Sequence, residues 1–273
     1  MSTISRAADL LNLFSTEVSE LGLSEICRRI DRDKATCHRH LTALVGVGML
    51  EQDPLSRRYR IGAAVLRWAA IREASVPRKA SALGPLSVLA EATGELAHVT
   101  ILDGTKLMNL ANHDPARHGT RVVIDVLEMP MNATASGHAV LAFAKPELLG
   151  QVAGGFQSYT PGTITDEAAL NAVLTLARET GFGISDQGFE TGVIGIAAPV
   201  FDAAQLAIGA ISVASVAGRM TAELEATIKT ELIAASRFLT EQWGGCVPAS
   251  LDLIWQDFLA RSRVPHKQTK ETV

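Results

Sequence analysis

Ile4, Ala7, Ala8, Leu10, Leu11 and Phe14 recur at the spacing of one helix face, with Ser2 or Thr3 placed to cap it. Gly22-Leu23-Ser24 opens a second short helix whose inner face is Leu23, Ile26, Cys27 and Ile30, at i, i+3, i+4 and i+7. After the polar turn Asp31-Arg32-Asp33, a third helix carries Cys37, Leu41, Leu44 and Val45 on one side, and Gly46 and Gly48 break it. Residues 49–53 and 58–61 then read as two short strands joined by Asp53-Pro54-Leu55-Ser56. Helix, helix, tight turn, helix and hairpin within about sixty residues form a winged helix-turn-helix.

The pattern changes downstream. Residues 63–74 predict a helix with Val65, Leu66, Ala69 and Ala70 on one side, widened by Trp68 and Ile71; this is more apolar surface than a spacer needs, and it suits pairing with a second copy. Pro77 ends it, and a helix over 78–93 buries Leu83, Leu86, Leu89 and Ala90. Strands over 96–102 and 107–112 flank the hairpin turn Asp103-Gly104. Residues 112–121 are loop-like, 122–127 are expected to add a strand, and 134–144 and 146–153 read as helices. A helix over 167–180, facing inward with Leu170, Val173, Leu174 and Ala177, is capped by Gly181. Strands follow at 183–189, 193–201 and 207–216, then a helix over 222–243. The second domain is therefore α+β, an antiparallel sheet with packed helices. Leu251, Ile254, Trp255, Phe258 and Leu259 form a last helical stripe, of a kind usually buried against its own chain, and HKQTKETV ends the chain as a disordered tail. The boundaries are 1–62 for the winged head, 63–78 for the linker helix, 79–243 for the second domain and 244–273 for the helical extension and tail.

Composition narrows the function. Residues 1–78 hold 12 Lys and Arg against 9 Asp and Glu, a balance of +3, whereas the rest of the chain carries -7. A mildly basic head on an acidic body suits nucleic-acid contact through the head. The most apolar stretch, 191–218, is split by Pro199 and Asp202 and is shorter than the roughly 18–20 apolar residues that span a bilayer, so no membrane partner is expected. Cys27, Cys37 and Cys246 show no metal spacing, and their odd number fits a reducing cytoplasm.

Lys34, Thr36, His38 and Arg39 lie off the apolar face at the start of the third helix, where such helices present side chains to base edges and phosphates. Arg57, Arg58, Tyr59 and Arg60 lie on the wing, suited to backbone or minor-groove contact. Enzymatic signatures are weak. No G-x-S-x-G elbow occurs, Ser136 and His138 at i, i+2 point apart on a helix, and Gly181-Phe182-Gly183 follows a helix and not a strand. His113 and His118 flank Asp114 in a loop at a spacing more typical of solvated residues than of zinc ligands. No catalytic residue, metal ligand or cofactor is assigned. The competing reading is a small-molecule sensor or enzyme whose winged helix serves protein contact.

The segments SRAADLLNLF, LSEICRRI, KATCHRHLTALVGVGMLEQD and RYRIG, followed by MPMNATASGHAVLAF, ETGFGISDQGFETGVIGIAAPVFD and IGAISVASVAGRM, resemble the IclR family of bacterial transcription regulators in order and spacing over roughly residues 4–243. The resemblance implies a winged helix-turn-helix, a linker helix and a GAF-like effector-binding domain. It also implies a homodimer or dimer of dimers on double-stranded operator DNA, repressing or activating catabolic genes in response to a small-molecule effector, often a carboxylic or aromatic acid. By motif position, the effector pocket draws on Met129, Met131, Ala135, Ser136, Ser185, Gly195, Ser212 and Ala214, with the backbone N–H groups at Ser136 and Gly137 suited to an anion. The chain departs from the family at Gly137-His138, where Gly-Lys is common, at Ser185, where some relatives carry an acid, and at Gly195, where some carry a cysteine.

Overall fold

The computed structural model describes residues 2–124 and 126–262, so the expected disordered tail lies outside the described residues. The chain divides into two compact units, one ending at Pro77 and the other beginning at Arg78.

In the first unit, α1 (Thr3–Leu11) is capped by Ser2, whose hydroxyl accepts the Ser5 N–H at 3.1 Å. It ends before Phe14, which lies outside the helix. The carboxylate of Glu25 accepts the Gly22 N–H at 2.7 Å and closes the start of α2 (Leu23–Ile30). Asp33 caps α3 (Lys34–Gly46). Leu10, Leu21, Ile26, Leu41, Leu44, Leu50 and Tyr59 form the core of this unit. Strands β1 (Leu50–Gln52) and β2 (Tyr59–Ile61) pair antiparallel, and a bridge from Leu21 to Tyr59 adds a third segment. A Cβ on Gly62 would lie 2.2 Å from the Gly48 carbonyl oxygen, so only glycine lets the chain leave the wing here. Helix α4 (Ala64–Ser75) buries no residue and leaves Leu66, Trp68 and Ile71 exposed.

The second unit is a five-stranded antiparallel sheet in the order β4-β3-β7-β6-β5, built from β3 (Leu96–Asp103), β4 (Lys106–His113), β5 (Gly183–Asp186), β6 (Val193–Phe201) and β7 (Ala207–Val216). The two-residue alternation of strands sends Ala97, Val99, Ile196, Ala198, Ile211 and Val213 to one face. There they meet α5 (Arg78–Thr93) and α9 (Ala222–Gln242). The other face packs against α6 (Ala135–Phe143), which α8 (Glu167–Thr180) backs. The short α7 (Pro146–Val152) follows α6.

Two expectations change, and one holds. Leu83 is exposed on α5, and Ala82 takes the inward position, because the helix turns its i, i+4, i+7 row of Ala82, Leu86 and Leu89 to the sheet. Residues 122–127 form no strand among those described; Val122 is buried and Ile124 and Val126 are half-buried, with one bridge from Met108 to Glu128 nearby. A short apolar run has no unique secondary structure, and this one lines a cavity instead. The terminal stripe lies on α10 (Ala249–Ser262), where Leu251 and Trp255 are buried against the core of their own unit and Phe258 packs edge-on to Phe182.

Candidate functional site

The reading surface begins with the cap of α3. Asp33 accepts the Thr36 N–H at 2.8 Å, and this backbone bond, aided by the Thr36 hydroxyl, holds the Asp33 carboxyl below its ordinary range. The cap fixes which way the first turn faces. Cys37, His40, Leu41 and Leu44 turn inward; Lys34, His38 and Arg39 are exposed and Thr36 half-buried. Burial pushes the Cys37 thiol up to about 11, which marks it as packing material.

On the wing, the Asp53 carboxylate accepts the N–H groups of Leu55 at 3.0 Å and Ser56 at 2.6 Å, and Arg57 adopts φ 59. Arg57 is exposed, and neither it nor Lys34 nor Arg39 forms an ion pair among the described residues. Arg58 instead donates to the Glu20 carbonyl at 2.9 Å and sits 3.0 Å from the Glu25 carboxylate. Arg60 bonds Glu51 at 3.2 Å and lies 3.6 Å from Glu20. Tyr59 is not presented by the wing as its neighbours are: it is only 2% exposed, because β2 turns it into the core, and it borders the groove beside Lys34, His38 and Arg57 as a buried residue. The fold brings Lys34, His38, Ser56 and Arg57 to one shallow groove with Ser24 of α2, a neighbour that the hydrophobic pattern did not single out.

The second site is a cavity of about 350 Å³ between α6 and the sheet. Seven of the eight residues placed there by motif position line it: Met129, Ala135, Ser136, Ser185, Gly195, Ser212 and Ala214. Met131 does not. The tight turn before α6 puts its backbone where a Cβ on Gly137 would lie, 2.3 Å away, and its side chain faces a neighbouring hollow with Asn132. Close approach also explains Gly195, where a Cβ would stand 3.1 Å from that of Ala135.

The cavity floor is a polar chain across the sheet. His98 and Ser212 are register partners on β3 and β7, and α6 lowers Ser136 onto both. His98 Nε2 lies 3.1 Å from Ser136 Oγ, which donates to Ser212 Oγ at 3.1 Å, and Ser212 donates to the Ile196 carbonyl at 3.2 Å. Burial alone pushes His98 down to about 4, so its ring is neutral. The walls add Val122, Ile124, Val126, Val193 and an edge-to-face pair, Tyr159 and Phe189, with centroids 5.0 Å apart; Glu190 stands exposed at the rim. His98, Tyr159 and Phe189 escape sequence reasoning. A polar residue inside the otherwise apolar run Leu96 to Val99 was the available signal for His98. His138 lies off this cavity, as its spacing from Ser136 implies; its ring nitrogens face the Ile184 carbonyl at 2.7 Å and the Asn132 carbonyl at 3.1 Å. It fastens the start of α6 to the edge strand β5. Outside both sites, His113, which ends β4 and does not lie in the expected loop, approaches Glu91 at 4.0 Å, and His118 approaches Glu95 at 3.9 Å, so the two histidines face different carboxylates.

A winged helix-turn-helix head joined to a separate sheet domain enclosing a small-molecule-sized cavity defines a class of bacterial transcription regulator. Residues 3–54 match the IclR helix-turn-helix domain, and residues 72–240 match the C-terminal domain of the bacterial transcriptional regulator IclR. The chain belongs to the IclR family. It is 32% identical to the transcriptional regulator BhcR of Paracoccus denitrificans, over 87% of this chain and 85% of that protein. It is 31% identical to the glycerol operon regulatory protein of Streptomyces griseus, over 87% and 92%. A solved structure of a proposed IclR transcriptional regulator from Silicibacter sp. TM1040 superposes with a TM-score of 0.87 at 38% identity, covering 91% of this chain and 99% of that one.

Proposed function

We propose that this protein represses a catabolic operon by binding operator DNA through its head, and that a small organic acid or related oxygenated metabolite entering the cavity changes its operator affinity. The observation that carries the reading is that one chain combines an α3 face bearing Lys34, His38 and Arg39 with a cavity at the N-terminus of α6. In this reading Thr36, His38 and Arg39 meet base edges, and Lys34 and Arg57 meet phosphates. Arg58 and Arg60 act partly through their acidic partners, by holding the wing against the start of α2. The exposed apolar side of α4 pairs with a second copy, as operator symmetry asks of a dimer. Relatives support the catabolic assignment: the Streptomyces protein is named for the glycerol operon, and another relative, from Pseudomonas putida, is the Pca regulon regulatory protein. An IclR homologue from Microbacterium hydrocarbonoxydans with the same fold has been solved in complex with 4-hydroxybenzoate.

The test is a mobility shift on the protein's own upstream DNA, with and without a panel of carboxylic and aromatic acids. A specific shift altered by one compound, and no longer altered in Ser136→Arg, is the expected result. Absence of any shift at low salt with folded protein overturns the DNA half. An unchanged ligand response in Ser136→Arg overturns the cavity half.

A further inference from the structure

The buried hydroxyl groups around the cavity already have their protons committed. Ser212 donates to Ile196 O, Ser136 donates to Ser212 Oγ, and Ser185 donates to Ala133 O at 2.6 Å. Thr134 donates to Pro130 O at 2.8 Å, whereas Tyr159 and its acceptor Gln157 Oε1, 3.1 Å away, are both exposed. Each hydroxyl has one proton. Because that of Ser136 is used on Ser212, the contact with His98 must run from Nε2–H to Ser136 Oγ. His98 is thereby fixed as the Nε2–H tautomer, and its buried Nδ1 is left as a lone pair without a partner. Glu190 only accepts when ionised, and no Lys or Arg lines the cavity among the described residues. The buried side chains therefore offer lone pairs, and the donors that remain are the backbone N–H groups of Ala135 and Ser136, because that of Gly137, expected to face an anion, is bonded to Thr134 Oγ1 at 3.1 Å.

Resting on the effector-site reading above, we propose that the cavity selects hydroxy acids over the oxo acids of the same carbon skeleton. A ligand alcohol donates to the free lone pairs of Ser136, Ser185 or Glu190 while its carboxylate takes the α6 N–H groups. An oxo group has nothing to donate. It sets oxygen against oxygen, or turns a serine away from Ala133 O or Ile196 O and strands a buried acceptor.

Calorimetric titration of the full chain with matched pairs tests this: mandelate against benzoylformate, 3-hydroxybutyrate against acetoacetate, and lactate against pyruvate. The hydroxy member is expected to bind about tenfold tighter or more in the pairs that fit. Glu190→Gln, at an exposed position, adds an amide donor and is expected to narrow that ratio severalfold; Ser136→Arg is expected to abolish binding of both members. Equal or tighter binding of the oxo members overturns the donor rule alone. Binding that survives Ser136→Arg, or no binding by any acid to protein that still shifts its DNA, overturns the effector-site reading beneath it.

Discussion

The head and the cavity reach their specificity by opposite routes. In the head, the presented side chains sit on one turn of α3 and on a hairpin tip, and local rules aim them: the Asp33 cap, the apolar row Cys37, Leu41 and Leu44, and the Asp53 turn. In the cavity, the polar floor joins β3, α6 and β7, and Ser136 and Ser212 are 76 residues apart. The head keeps its functional groups exposed and charged, whereas the cavity floor keeps His98, Ser136 and Ser212 buried and hydrogen-bonded to one another. Electrostatic contact with a polyanion works from an exposed surface, but reading a small ligand demands desolvated groups with no spare freedom.

The largest expected effect strikes the head through packing. Tyr59→Ala should destabilise the first unit by about 4 kcal/mol and abolish DNA binding, whereas Tyr59→Phe should bind almost as wild type. Comparable loss of binding in both variants, with folded protein, would return the Tyr59 hydroxyl to the reading surface. Gly137→Ala should strike the body alone, by about 3 kcal/mol, because the new methyl meets the Met131 backbone. Denaturant unfolding followed by far-ultraviolet dichroism measures both.

A pH titration of stability separates the two regions further. His98 is held neutral in the fold, with its pKa down at about 4 against an ordinary 6.5. Its contribution is complete above about pH 6.5 and is lost as pH falls toward 4, because the unfolded chain takes up the proton first; the full loss is about 3 kcal/mol. His138, lowered chiefly by burial against the opposing pull of two carbonyls, acts in the same direction. His98→Gln should flatten the slope over that window, and an unchanged slope would remove His98 as its source. The smallest effects concern affinity. Arg39→Ala should weaken specific operator binding by about 2 kcal/mol if it reads a base, and Arg57→Ala should weaken all sequences alike and reduce the salt slope by about 1. Fluorescence anisotropy across salt concentrations distinguishes these outcomes.

Much of this architecture was legible in the chain. The three head helices, the hairpin at Asp103-Gly104 and the helix over 167–180 follow from spacing, caps and turn residues, all of which act within a few positions. The cavity serines were legible only as pieces of a resemblance. Nothing local in Leu96 to Thr100 says that His98 will face Ser212, because that pairing depends on the register of two strands more than a hundred residues apart. Tyr59 was misread because three arginines surround it, and a three-residue strand is too short to declare which face is inward. The run at 122–127 was misread because apolar content does not distinguish a strand from a cavity wall.

The order of elements apart from the run at 122–127, the two-domain division, the family and the exposed face of α3 were all written in the sequence, since each depends on short-range periodicity or on motifs in series. The tertiary structure alone decided which arginines of the wing are tied down by Glu20, Glu25 and Glu51, which way the hydroxyl protons run around the cavity, and that Met131 faces elsewhere. Those outcomes depend on close approach between segments remote in the chain, where burial and a few tenths of an ångström settle which group finds a partner.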